Sequence, residues 1–124
     1  MSRRITISAG PVTMEAELTR SQTAGQIWEA LPITGQANTW GDEIYFRIPV
    51  TMEEAADARA EVEVGELGYW PAGSAFCIFF GRTPASTDDA PRAASPVNPI
   101  GRVLGDPLAF RDVQPGSTVM LERD

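Results

Sequence analysis

The chain has 124 residues, of which 43% are hydrophobic, and this size fits one domain with one core, predicted to span residues 1–124. Its net charge of −7 argues against nucleic acid and anionic membrane surfaces as partners, since both attract basic patches. The chain contains no histidine, so it lacks the commonest general base and metal ligand. Catalysis by a Ser-His-Asp or a Cys-His arrangement is therefore impossible.

The single cysteine, Cys77, cannot form an internal disulfide, which fits a reducing compartment. The sequence has no apolar run of 18 residues, and its start lacks the apolar core of a signal peptide. We therefore expect a cytoplasmic location. We expect no cofactor and no metal site, and we interpret Asp88-Asp89 as a solvated turn. The oligomeric state stays open.

Two segments of the first half alternate apolar and polar residues as β-strands do. Residues 5–16 alternate on both sides of Ala9-Gly10-Pro11, which predicts a hairpin. Residues 43–50 alternate strictly, so their side chains divide between two faces of a strand. The predicted core face carries Ile44, Phe46, Ile48 and Val50, and the other face carries Glu43, Tyr45 and Arg47.

Apolar residues recur at helical spacing between these strands and predict a helix over residues 20–31. Thr19 and Gln22 have the spacing of a capping box at its start. Pro32 ends the helix because proline cannot continue it.

The second half is rich in strand and turn signals. Two strands flank the turn Pro71-Ala72-Gly73-Ser74, and the second is apolar over residues 75–80, which favours a buried, inert Cys77. Residues 83–99 are rich in Pro, Ala, Ser and Asp and predict a long loop, often a lid or part of a site. Residues 101–105 then predict a strand, Asp106 caps a helical turn, and residues 118–123 form a final strand.

Four segments carry a family resemblance. They are Asn38-Thr39-Trp40-Gly41-Asp42-Glu43-Ile44-Tyr45-Phe46, Gly68-Tyr69-Trp70-Pro71-Ala72-Gly73, Cys77-Ile78-Phe79-Phe80-Gly81-Arg82-Thr83-Pro84 and Ala94-Ser95-Pro96-Val97-Asn98-Pro99-Ile100-Gly101-Arg102. In these segments the chain resembles the small bacterial and archaeal cyclophilin-like proteins, whose biochemical function is uncharacterised. The resemblance implies a mostly β fold, a closed eight-stranded cyclophilin-like β-barrel with one main helix and a short helical turn.

True cyclophilins are peptidyl-prolyl isomerases, and the resemblance to them is more distant. Phe46-Arg47-Ile48-Pro49 is similar to the segment that carries their arginine, whose guanidinium suits a prolyl carbonyl. Val50-Thr51-Met52-Glu53-Glu54 departs from the segment that follows it in cyclophilins. The glutamine, tryptophan and histidine of their proline pocket have no counterpart here. Arg47 is alternatively a solvated strand residue or the partner of Glu43.

We predict an external cleft that binds a peptide or a small molecule through Tyr45, Arg47, Tyr69, Phe79 and Arg82. Arginine offers paired hydrogen-bond donors and the aromatic rings supply apolar walls. The aromatic residues of the resembling segments alternatively fill the core, and Arg82 alternatively pairs with an acidic residue. The functional alternatives are a weak peptidyl-prolyl isomerase and an enzyme that handles a carboxylate metabolite through Arg47 and Arg82.

Overall fold

A computed structural model of the chain describes residues 3–124. The predicted domain of residues 1–124 includes Met1 and Ser2, which lie outside the described residues. The described strands are β1 (Arg3–Ala9), β2 (Val12–Leu18), β3 (Ile33–Gln36), β4 (Asn38–Thr39), β5 (Glu43–Arg47), β6 (Arg59–Glu61), β7 (Glu66–Trp70), β8 (Ala75–Phe79), β9 (Arg92–Val103) and β10 (Thr118–Arg123). The described residues also form one α-helix, α1 (Gln22–Ala30), and two 3₁₀ helices, Pro71–Gly73 and Pro107–Asp112.

The strands pair antiparallel in the order β3-β10-β1-β2-β9-β7-β8-β5-β4. The two ends of this order, β3 and β4, are consecutive in the chain and are joined at Ala37, so the sheet curves round on itself. At this join β3 contacts β5, and a Cβ added at Gly35 would lie 2.8 Å from the Phe46 ring. No hydrogen-bonded ladder joins β3 to β5 among residues 3–124, so the mostly β fold is confirmed while closure of the barrel stays a prediction. The expected number of eight strands is wrong, because the described residues form ten.

The main core lies inside the curved sheet. The alternation of residues 5–16 and 43–50 assigned the inward faces correctly, since Ile5, Ile7, Ile44 and Phe46 have no exposed surface. The helix α1 adds a buried face to this core through Ala24 and Ile27, and the 3₁₀ helix at Pro107–Asp112 adds Phe110. These core residues bury the apolar area that drives folding.

Two local expectations need correction. Ser21 caps the N-terminus of α1, and its hydroxyl accepts a hydrogen bond from the Ala24 amide at 3.2 Å, so Thr19 and Gln22 do not form the capping box. Thr19 instead donates its hydroxyl to Ser21 at 3.1 Å. The predicted loop of residues 83–99 is wrong in its second half, because the long strand β9 begins at Arg92.

Strand β9 divides its pairing between two sheets. Its second half pairs with β2 and β7 in the main sheet, whereas its first half pairs with the short strand β6. The first half therefore covers part of the outer face of the main sheet, and a second, smaller core forms beneath it. Its buried members are Val62, Ala75, Cys77, Phe79, Ala93 and Val97.

Replacing Phe46 with alanine tests the assignment of the core face. The side chain is fully buried, and its ring lies 5.3 Å from that of Phe76, so Phe46→Ala leaves a cavity. We expect a loss of about 3–5 kcal/mol in the free energy of unfolding, measured by denaturant titration. Leu104→Ala, at a side chain that is 43% exposed, serves as the control and should change stability little. An unchanged midpoint for Phe46→Ala would contradict the assignment.

Candidate functional site

A cavity of about 200 Å³ opens on the outer face of the main sheet, above the second core. Strand β5 forms one wall, the end of β7 forms another, and the first half of β9 closes the third side. The lining residues are Trp40, Glu43, Tyr45, Trp70, Ala93, Ala94 and Val97. Six of these seven side chains are aromatic or aliphatic, and the seventh is a carboxylic acid.

The Trp70 ring is held from two sides. A Cβ added at Gly73 would lie 2.7 Å from two carbons of the indole, so only glycine leaves room for the ring there. The indole N–H donates a hydrogen bond to the Ser95 hydroxyl on β9 at 2.6 Å. Trp70 also meets Tyr45 edge to face, with ring centroids 6.4 Å apart and an interplanar angle of 74°. The two rings therefore form a corner of the cavity.

A tight turn places Trp40 and Glu43 on the same side of the cavity. The Trp40 amide donates to the Glu43 carbonyl at 2.9 Å, and Gly41 between them has a φ of +61°. A Cβ at Gly41 would lie 2.8 Å from the Arg82 carbonyl, so both conformation and space require glycine at this turn. The Asp42 amide donates to that same carbonyl at 2.8 Å, which fixes the turn against the end of β8.

Glu43 is a buried acid with an unpaired oxygen. The residue is 6% exposed, and its Oε1 is the one buried side-chain polar atom without a hydrogen-bond partner among residues 3–124. Removal from water raises the pKa of the Glu43 carboxyl to about 7, and a side-chain hydrogen bond with the Cys77 thiol lowers this pKa by a smaller amount. Both protonation states of Glu43 are therefore populated near neutral pH. Perturbed acids of this kind are concentrated at functional sites.

Cys77 lies beneath the cavity as a buried thiol. Burial and the neighbouring Glu43 carboxylate raise its pKa well above the ordinary value, so the reactive thiolate is suppressed. The expectation of a buried cysteine is confirmed, and its chemistry is that of a small apolar side chain.

Of the five predicted site residues, only Tyr45 lines the cavity. The alternation placed Phe79 correctly on the outer face of β8, but β9 covers that face and leaves Phe79 with no exposed surface. Tyr69 was predicted to point outward and instead belongs to the main core. Its hydroxyl donates to the Val50 carbonyl at 2.7 Å and accepts from the Met52 amide at 3.1 Å, which satisfies the phenol without solvent.

The two predicted arginines lie away from this cavity. Arg47 is exposed at the end of β5 and is not among the lining residues, and Glu43 does not form an ion pair with it. Arg82 is exposed and its guanidinium lies 3.4 Å from the Asp89 carboxylate, as the alternative interpretation expected. The structure therefore does not bring Tyr45, Arg47 and Phe79 together at one cavity.

Glu43, Trp40 and Trp70 were not among the predicted site residues. The sequence did contain a signal for Glu43, since alternation put it on the same strand face as Tyr45. The strand β9 on the far side of the cavity could not be predicted from its beginning, because residues 92–97 lack the apolar alternation of a strand. Without that strand, Glu43 is expected to be a solvated acid.

Two larger hollows contain polar groups that are already paired. In one, the side chain of the buried Asn98 accepts from the Ala55 amide at 2.8 Å and donates to Thr23 and to the Glu53 carbonyl. In the other, Arg59 is paired with Glu66. Among the described residues no group of three potential ligand side chains is placed to hold a metal ion, and no helix is long and apolar enough to cross a membrane.

A family model described as Cyclophilin-like matches residues 3–122. The chain belongs to the cyclophilin-like family. The match covers nearly the whole chain, including every strand that lines the cavity. None of the curated proteins matches the chain.

Two solved structures share the fold of this family member. The solution structure of the hypothetical protein AF2241 from Archaeoglobus fulgidus is 39% identical, with a TM-score of 0.84, covering 99% of this chain and 95% of that one. The structure of McbB in complex with tryptophan is 17% identical, with a TM-score of 0.68. The match covers 97% of this chain and 44% of the McbB chain. At this identity the likeness concerns the fold alone.

The raised pKa of Glu43 predicts that stability falls as the pH rises. The folded state holds the Glu43 proton more tightly than the unfolded state, whose carboxyl titrates near 4.5, so this contribution is complete below about pH 4.5 and is lost as the pH rises through 7. The loss amounts to about 3 kcal/mol. The glutamine of Glu43→Gln cannot ionise, so this variant should not show that pH-dependent loss of stability. Urea titration between pH 4.5 and 8.5 measures the difference.

The exposed Glu122 of β10 provides the matched control. Glu122→Gln removes the same charge and should keep the pH dependence of the unmodified protein. If the Glu43→Gln and unmodified proteins show parallel stability profiles over this pH range, the buried carboxyl titrates normally and the description of the site is wrong.

Proposed function

We propose that this protein is a binding module that holds one small group, either a small molecule or one side chain of a peptide, in the cavity between β5, β7 and β9. The observation that carries the proposal is Glu43 itself, which lines an otherwise apolar cavity and whose buried Oε1 has no hydrogen-bond partner. A buried acceptor without a partner costs free energy in the free protein, and a ligand that donates a hydrogen bond to it, or places a positive charge beside the carboxylate, offsets that cost.

The size of the cavity limits the ligand. Pockets for drug-sized molecules are typically about 300–1,000 Å³. The cavity of about 200 Å³ lies below that range, so it accepts a single ring or a compact alkyl group. A longer peptide would place one side chain in the cavity and lie across the surface outside it.

The walls set the chemistry that the ligand must match. Trp40, Tyr45 and Trp70 offer large, rigid apolar surfaces, and rigid rings lose little conformational entropy when a ligand binds. Glu43 supplies the single polar anchor that orients the group. This composition, apolar walls with one placed polar group, is the usual one for a small-molecule site.

Filling the cavity from its rim tests the proposal. Ala94 lines the cavity and is itself exposed, so Ala94→Phe adds a ring at the mouth without disturbing a buried side chain. We expect compact amines, alcohols and single-ring compounds, screened by ligand-observed NMR, to bind the unmodified protein and to bind Ala94→Phe at least about tenfold more weakly.

Ala90→Phe supplies the matched control, since Ala90 is exposed and does not line the cavity. It should bind the same compounds as the unmodified protein does. The absence of any compound whose binding depends on Ala94 would show that the cavity is not a binding site.

Peptidyl-prolyl isomerisation is the alternative function. Its support is the similarity of Phe46-Arg47-Ile48-Pro49 to the cyclophilin segment, with Arg47 exposed at the end of β5. We expect no useful catalysis, because the glutamine, tryptophan and histidine of the cyclophilin proline pocket are missing. A protease-coupled assay on a short prolyl peptide tests this, since the uncatalysed step takes tens to hundreds of seconds.

The arginine provides the control for that assay. We expect the unmodified protein and Arg47→Ala to leave the isomerisation rate equally unchanged. A large acceleration that disappears in Arg47→Ala would replace the binding module by the isomerase.

The net charge guides the choice of ligands for these experiments. The charge of −7 disfavours nucleic acids and anionic membrane surfaces, so small molecules and peptides are screened first. The cytoplasmic location stays a prediction.

A further inference from the structure

We propose that the cavity selects an organic cation, a compact alkylammonium group, over neutral and anionic molecules of the same shape. The inference rests on the proposed function, because it assumes that the cavity binds a small group, and it adds the charge of that group. Its carrying observation is that Glu43, whose buried Oε1 is unpaired, lines one small cavity together with three aromatic residues.

Among residues 3–124, no cation forms an ion pair with the Glu43 carboxyl. None of the seven lining residues is basic, and every basic residue of the chain is an arginine. The titratable groups that face Glu43 are the Cys77 thiol on β8 and, on its own strand, the Tyr45 phenol. The residues that β7 and β9 contribute to the cavity, Trp70, Ala93, Ala94 and Val97, carry no charge. A bound cation would supply the missing partner of the carboxylate.

The rings are arranged to attract a positive charge. Tyr45 and Trp70 meet at 74°, so they present two walls of one corner, and Trp40 adds a third ring to the lining. The electron-rich faces of Trp and Tyr attract cations, and the attraction is strongest where water is excluded. Rings packed around one acid are the means by which proteins recognise ammonium groups that carry several methyls.

The small side chains of β9 limit the cation to a compact group. Ala93 and Ala94 leave the space open, and Val97 closes its floor over Gly68, where an added Cβ would lie 2.8 Å from a Val97 methyl. A trimethylammonium group or a methylated amine fits a cavity of about 200 Å³. An anion is disfavoured because it would meet the Glu43 carboxylate directly.

A cationic probe and its neutral isostere separate charge from shape. Choline carries a quaternary ammonium that never titrates, and 3,3-dimethyl-1-butanol replaces its nitrogen by carbon. We expect the full chain at pH 8.5 to bind choline at least about tenfold more tightly than the alcohol, as measured by NMR titration at constant ionic strength. Affinity for choline should fall about 30-fold between pH 8.5 and pH 5.5, with its midpoint near 7, because protonation of Glu43 removes the anion.

Two variants locate the effect. Glu43→Gln keeps the shape of the side chain and should lose both the preference for choline and the pH dependence of binding. Glu122→Gln removes the same charge at an exposed position and should keep the preference and the pH dependence. This variant controls for the general attraction between a cation and an acidic protein. Amide spectra of both variants check that the fold is intact.

The outcomes distinguish this inference from the function on which it rests. Equal binding of choline and the alcohol, or tighter binding of the alcohol, overturns the cation inference. If that binding is weakened by Ala94→Phe, the protein is still a binding module as proposed. Retention of choline selectivity in Glu43→Gln also overturns the inference. If no probe or screened compound depends on Ala94, the proposed function fails together with the inference.

Discussion

Strand β8 is buried on both of its faces, and the cavity exists because its outer face has to be covered. Every residue from Ala75 to Phe79 is buried. One face packs into the main core, and the other packs under the first half of β9. A strand with two apolar faces needs a second layer, since either face left in water would forfeit the burial that stabilises it.

The second layer is made by a single strand that leaves the main sheet partway along its length. Strand β9 pairs with β2 and β7 and then bends away to pair with β6. Gly68 permits the close approach, because any side chain at that position would collide with Val97. The cover ends beside the Tyr45 and Trp70 rings, and the space left between them is the cavity.

The buried position of Glu43 destabilises the free protein. A buried carboxyl that keeps an unpaired oxygen and has its pKa raised to about 7 destabilises the folded state at neutral pH relative to the same group in water. Among the described residues the carboxyl joins no ion pair, and a hydrogen bond with the Cys77 thiol offsets only a smaller part of this cost. The ligand proposed above would offset this cost, and perturbed acids of this kind are concentrated at functional sites. The solved relative from Archaeoglobus fulgidus, at 39% identity over nearly its whole length, provides a second protein in which that explanation can be examined.

The sequence by itself determined which residues share a face, where the helix stops and which family the chain resembles. Alternation identified Phe46 as core and separated Phe79 from Phe76, because the side-chain period of a strand is a local property of the backbone. The tertiary structure alone decided what covers each face. Tyr69 lies inside because the backbone at Val50 and Met52 satisfies its hydroxyl, and Glu43 is buried at a cavity whose other side is formed by β9. Both outcomes depend on contacts between segments far apart in the chain, which no local pattern records.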